Sequence, residues 1–261
     1  MSLQREVWAH EASLLGSRAW KCPNCRVALL KVKNGSLAIG ESRDSKEAHS
    51  HDAWEPAWID GRFSCLLICL HCEGEVGLVG TYEVRDERGY ANGEEVGGDV
   101  RYYKPLYFTD APRIFDIPDG TPGDVSVEIG RSFQLYWSDT LACANRIRAA
   151  IEALLTAQRV NRSVGGRQSR KCRRMLSLHE RIELFMETRP ELADKLLAIK
   201  WIGNAGTHSA IVTADDLLDA YEILGFVLDE IYVRRSVRIG ALARAINRRR
   251  APRSKRQTKS R

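Results

Sequence analysis

Apolar residues follow two different periods along this chain. Up to residue 108 they come in short β-branched or aromatic runs: Val27 to Val32, Phe63 to Leu70, Val76 to Val84 and Val100 to Phe108. Runs of this length between polar, turn-rich stretches predict strands, and the last two predict a hairpin across Asp86 to Gly98. Residues 41–53 are polar throughout and predict an exposed loop, closed by Trp54 and Trp58. Residues 1–20 carry Trp8 and Trp20 without a decisive period. They predict a short element packed on the strand-rich half.

Residues 109–123 hold Pro112, Pro118 and Pro122 with Gly120 and Gly123, the composition of a linker. After them the period is helical. Val125 to Leu135 predicts one helix and Thr140 to Gln158 a second, with Trp137-Ser138-Asp139 as the break and cap. Ala144, Ile147, Ile151 and Leu154 form one stripe of the second helix. Arg148 and Glu152 stand four residues apart beside it, the spacing of a surface ion pair worth a few tenths of a kcal/mol. Asn161 to Arg174 reads as a basic loop around Gly165 and Gly166.

Ser177 with Glu180 opens a shorter helix that stops near Pro190. Pro190 suits the first turn of the next helix, in which Leu192, Leu196 and Ile199 line one side up to Gly203. Thr213 to Asp216 resembles a capping box ahead of a long stripe, Leu217, Tyr221, Leu224, Leu228 and Ile231. Val237 to Ile246 predicts a frayed continuation. The pattern is that of an α+β chain. Its expected parts are a small β domain over 1–108, a linker over 109–123, an all-α domain over 124–234 and a basic tail over 235–261.

Charge is distributed as unevenly as hydropathy. Of 40 Lys and Arg, 12 fall between Arg234 and Arg261, where there is no Asp or Glu. The remaining 28 face 34 acids, so an acidic body carries a basic arm. Arg248, Arg249, Arg250, Arg253, Lys255 and Arg256 are the densest part of that arm. A polyanion, above all nucleic acid, is the partner such a segment suits. A solubilising arm and a hook for an acidic protein are the other readings. With 44% hydrophobic residues the chain can build a real core. It has no apolar run near 18 residues, and charges are scattered through its first 20. Neither a membrane span nor a secretory leader is expected.

Seven cysteines, an odd number containing two CxxC pairs, suit a reducing, cytoplasmic compartment better than a disulfide framework. Cys22-x-x-Cys25 and Cys69-x-x-Cys72 are separated by 43 residues. A CxxC turn aims two sulfurs at one centre, and two turns complete a tetrahedral shell that favours zinc over hard-oxygen metals. Flanking strands with a long insert match a zinc ribbon. A shell of four thiolates leaves no open position, so the zinc would be structural. His71 is a substitute ligand in the second turn, while Cys65, Cys143 and Cys172 read as bystanders.

Residues 199–208, Ile-Lys-Trp-Ile-Gly-Asn-Ala-Gly-Thr-His, end a periodic helix on two glycines. Either Gly203 and Gly206 simply stop the helix, with Asn204 as cap and His208 a satisfied histidine, or Asn204 and His208 converge on one ligand group.

Tyr107-Phe108, Pro112, Asn145-Arg-Ile-Arg148 with Glu152, Ile199 to His208 and the Thr213-Ala-Asp-Asp-Leu helix carry a resemblance to domain of unknown function family 4145. It covers roughly Tyr107 to Tyr232, and a zinc-binding module ahead of such a domain looks like the common arrangement. That family is similar in turn to the HEPN group, found in toxins, restriction-linked proteins and antiviral systems. The resemblance implies a HEPN-like helical bundle that forms homodimers. Many of the group are metal-independent RNases with an Arg, a polar residue, three more residues and a His. Here those positions fall on Gly203, Asn204 and His208, so the cation is missing. Lys200 or Arg148 could supply it to a catalytic set of His208 and Asn204. Without it the expectation is a non-catalytic, nucleic-acid-associated accessory or sensor in prokaryotic defence. An endoribonuclease and a protein-protein interaction module are the alternatives.

Overall fold

The computed structural model describes residues 3–11, 19–91, 94–165, 174–204 and 211–249. Its first half contains β1 (Leu30–Val32), β2 (Ala38–Glu41), the short helix α1 (Arg43–Ala48), β3 (Asp60–Cys69) and β4 (Glu75–Asp86). A small hairpin, β5 (Gly89–Ala91) and β6 (Glu94–Val96), leads into β7 (Asp99–Phe108). The main sheet is antiparallel in the order β1-β3-β4-β7, with β2 also pairing with β3.

Alternation along β3 and β4 gives this sheet two distinct faces. Phe63, Cys65, Leu67 and Cys69 point inward from β3, and Val76, Leu78, Tyr82 and Val84 from β4. Each large apolar side chain buried this way contributes roughly 1.5–3 kcal/mol. On β7 the register with β4 slips, so that Pro105 faces Gly80 but Tyr107 faces Val79. The inserted residue, Leu106, keeps Phe108 inward and turns Tyr107 outward, beside Lys104. A side chain at Gly80 would collide with the Lys104 carbonyl and the Phe63 ring, which is why the strand takes glycine there.

The second half is helical: α2 (Gly123–Leu135), α3 (Thr140–Ala157), α4 (Leu178–Met186), α5 (Pro190–Asn204), α6 (Ala214–Leu228) and α7 (Arg235–Arg249). A two-residue ribbon, β8 (Ser163–Val164) with β9 (Arg174–Met175), lies between α3 and α4. Asp139 caps α3, and capping boxes open α4 (Ser177 with Glu180) and α6 (Thr213 with Asp216). The stripe Ala144, Ile147, Ile151 and Leu154 is buried, and α3 is the helix that α2, α4, α5 and α6 all touch. Arg181 of α4 is buried with its guanidinium at the end of α3. It donates to the Glu152 carbonyl (3.1 Å) and the Thr156 hydroxyl (2.9 Å), near the C-terminal end of α3, where the helix dipole favours a cation.

Sheet and helices share one continuous core. Trp20 packs edge-on against Phe108 at 5.1 Å and against Trp137 at 5.6 Å, and Phe108 meets Trp137 at 5.4 Å. Gln134 of α2 accepts from the Ala111 amide and donates to the Phe108 carbonyl, fixing the exit of β7.

Three expectations need correction. The N-terminal segment, expected on the strand-rich half, packs on the helices as well. Trp20 meets Phe108 and Glu11 pairs with Arg85 of the sheet, but the first turn sits on the helical half. Trp8 lies 6.2 Å from Trp137, the Tyr136 hydroxyl donates to the Trp8 carbonyl at 2.9 Å, and Arg5 pairs with Asp219 of α6. Residues 41–53, expected as a loop, contain α1. Ser42 caps it, and buried Ser45 places its hydroxyl 2.6 Å from Glu41. Polar contacts rather than an apolar stripe hold this helix, so it has no period to read. Finally, α7 is a regular helix rather than a frayed one, set off from α6 by a π turn over Asp229–Val233 and by Arg234 at φ 51°.

Candidate functional site

Sheet pairing brings the two CxxC turns together. Cys69 ends β3, and Cys72 lies in the turn between β3 and β4. Antiparallel pairing sets Leu30 of β1 opposite Cys69, which places the preceding turn, with Cys22 and Cys25, against the tip of the β3–β4 hairpin. The two turns have the same backbone. Arg26 donates its amide to the Cys22 carbonyl (3.0 Å), and Glu73 donates to the Cys69 carbonyl (2.9 Å). Arg26 and Glu73 follow the second cysteine of each pair and are left-handed, at φ 60° and 56°. Non-glycine residues in that region cost roughly 1 kcal/mol or more each, a strain that needs a compensating contact.

The four sulfurs all lie within 4.8 Å of one another. Cys22 and Cys72 are 3.7 Å apart, and Cys25 and Cys69 are 3.5 Å apart. Metal–sulfur bonds of about 2.3 Å in a tetrahedron give edges of about 3.8 Å, so the cage has the size of a zinc–thiolate shell. Its electrostatics are uneven without a cation. The Ala28 and Val27 amides draw the Cys25 thiol down to about 6, whereas burial pushes Cys22 up to about 11. A divalent cation at the centre favours thiolate at every position. His71 is exposed and outside the cluster, and Cys65 faces the core, so neither joins the four.

Two neighbours of the cage were not anticipated from the sequence. The Asn24 amide approaches the Cys72 sulfur (3.9 Å), and a Cβ at Gly74 would come within 3.3 Å of the same atom. Asn24 lies inside the first CxxC and Gly74 just after the second, which is the signal that could have flagged them. Cys143, expected to be a bystander, is fully buried 3.0 Å from the Tyr221 hydroxyl, and burial pushes its thiol up to about 12.

The helical candidates are brought together only in part. Arg148 of α3 lies against Gly203 of α5, and a Cβ on that glycine would be 3.5 Å from Arg148 Cδ. Lys200 is buried, with its ammonium over the Trp201 ring at 3.7 Å. Asn204 closes α5, while His208 lies outside the described residues, as do Cys172, Arg250, Arg253, Lys255 and Arg256. Arg248 and Arg249 form the last turn of α7, which has no acid in its sequence. No helix among the described residues is long and apolar enough to cross a membrane.

Two family profiles match the chain. Residues 13–108 match "Domain of unknown function (DUF8608)", and residues 131–251 match "Domain of unknown function (DUF4145)". All four caged cysteines fall in the first match; Arg148, Gly203 and His208 fall in the second. No curated protein and no solved structure matches.

Proposed function

We propose that the chain is a zinc-stabilised, nucleic-acid-associated protein whose helical half is a HEPN-like domain acting in binding rather than catalysis. The observation that carries the zinc is the four-sulfur cage at the mouth of the sheet. Cys22, Cys25, Cys69 and Cys72 would hold the ion, and four thiolates leave no position for substrate, so its task is to fold a zinc-ribbon-like module. Nucleic acid is the partner that answers an acidic body with a basic arm. The arm begins in α7, where Arg235, Arg238, Arg244, Arg248 and Arg249 occur without an acid. A cytoplasmic accessory or sensor role in prokaryotic defence follows from the resemblance to the HEPN group. So does a homodimer, and the exposed Ile239, Leu242 and Ile246 on one face of α7 support it.

Salt tests the arm directly. Affinity for a labelled oligonucleotide should fall steeply with added salt. Changing Arg248, Arg249, Arg250, Arg253, Lys255 and Arg256 together to glutamine should flatten the log–log slope by about 4 on a single strand. An unchanged slope would remove the arm from the interface.

One observation favours an endoribonuclease as a second reading. The Arg148 stem covers Gly203, the position at which the group's arginine is missing, so α3 brings an arginine side chain to that position. His208 would then move the proton, and Asn204 and Lys200 would attend the phosphate. RNA cleavage that persists in EDTA and vanishes in His208→Ala is the expected result. Equal cleavage by the two proteins rules the reading out.

A further inference from the structure

We propose that the outward face of the β3–β4–β7 sheet is a binding platform for single-stranded nucleic acid, with Tyr107 as the stacking surface and Arg62 and Lys104 as the phosphate contacts. The proposal rests on the nucleic-acid reading above and locates a second contact, far in sequence from the basic arm.

Strand register builds the platform. Arg62, Thr81 and Lys104 stand side by side across three strands, and Ser64, Val79 and Tyr107 form the adjacent row. Rows on one face of a sheet are roughly 7 Å apart, so a base on the Tyr107 ring leaves its flanking phosphate within reach of both cations. The β7 bulge makes this possible. Unbroken alternation would turn Tyr107 to the face opposite Lys104; the extra residue brings both to the open face. Tyr107 is 50% exposed, Val79 44% and Leu66 37%, so an aromatic ring and two aliphatic side chains face solvent where strands normally present polar ones.

The charges of this face are unevenly spent. Glu83 pairs with Arg85 at 2.5 Å, Glu11 pairs with the same arginine at 2.6 Å, and Asp60 accepts from the Ser42 hydroxyl. The side chains of Arg62 and Lys104 make no ion pair or hydrogen bond among the described residues. They line an open cleft of about 450 Å³ between the sheet and the start of α1, together with Glu11, Asp44, Asp60 and Glu83. Two cations without a direct ion pair among the described residues, beside an exposed aromatic ring, complement an unpaired base and its phosphates. A duplex offers no free base for that ring.

Fluorescence anisotropy on the full chain tests this, with labelled 20-nucleotide single strands of DNA and RNA and a 20-base-pair duplex. Arg62→Ala/Lys104→Ala should weaken single-strand binding at least tenfold and flatten the salt slope by about 1.4, the share of two phosphates. Tyr107→Ala should weaken it at least fivefold with the slope unchanged, and Tyr107→Phe should bind like wild type because stacking needs the ring alone. All three changes lie on the exposed face, and circular dichroism checks that each variant is folded. Sheet variants that bind within twofold of wild type, while the glutamine-substituted arm loses affinity, would overturn the platform and leave the nucleic-acid reading standing. Equal losses on duplex and single strand would overturn the stacking role. No binding by wild type to any probe would overturn both.

Discussion

Stripping the metal with a strong chelator, or replacing Cys69 with serine, is expected to unfold the sheet half of the chain. The reason lies in what the cage joins. Cys69 ends β3, the central strand, and is fully buried, while Cys22 and Cys25 hold the segment that leads into β1. Without a cation, several sulfurs of like partial charge are packed within 4.8 Å, next to two left-handed residues. Structural zinc contributes on the order of 10 kcal/mol of apparent binding energy in small modules, as much as the whole stability of an ordinary domain. Losing one of four thiolates therefore removes enough to matter. The check is far-UV circular dichroism followed alongside zinc release with a colorimetric chelator. The sheet signal should disappear as zinc leaves, and Cys69→Ser should purify with little zinc and a much lower melting temperature. Cys65→Ser, one pleat away but outside the cage, should keep its zinc.

Replacing Trp20 with alanine carries the next largest expected effect, a loss of about 3–5 kcal/mol. Trp20 is 1% exposed, and it touches Phe108 of the sheet and Trp137 between α2 and α3 while its indole donates to the Val7 carbonyl at 3.1 Å. One side chain thus joins the N-terminal segment, the sheet and the helices. Wild type should melt in one transition by circular dichroism and by tryptophan fluorescence. Trp20→Ala should melt at least 10 °C lower, with the two probes separating as sheet and helices lose their common support. Coincident transitions at the wild-type temperature would mean that the aromatic cluster is not what ties the halves together.

The parts of this fold legible in the sequence are those governed by local rules. The two CxxC pairs, the strands beside them, the α3 stripe and the capping boxes at Ser177 and Thr213 are set by residues close in the chain, and they occur where the residues say. Distance and bulges decide the rest. Arg5 reaches Asp219 of α6 across 214 residues, which no local period encodes. Tyr107 changes face because Leu106 is inserted opposite Gly80, and a period-2 reading of Val100 to Phe108 cannot register a one-residue slip. Helix α1 depends on Ser42, Glu41 and buried Ser45, polar residues that read as loop. In the candidate site the cysteines were legible because metal geometry constrains their spacing. Asn24 and Gly74 were not, because their role appears only once Cys72 is placed beside them. Arg148 against Gly203 is a contact between helices whose crossing the sequence does not specify.

X-ray absorption at the zinc edge of the natively purified chain tests the central claim most directly. One zinc per chain is expected, with four sulfur neighbours at about 2.3 Å and no oxygen or nitrogen in the shell. A chain that folds and binds with no zinc, or a shell containing light atoms in place of sulfur, would contradict it.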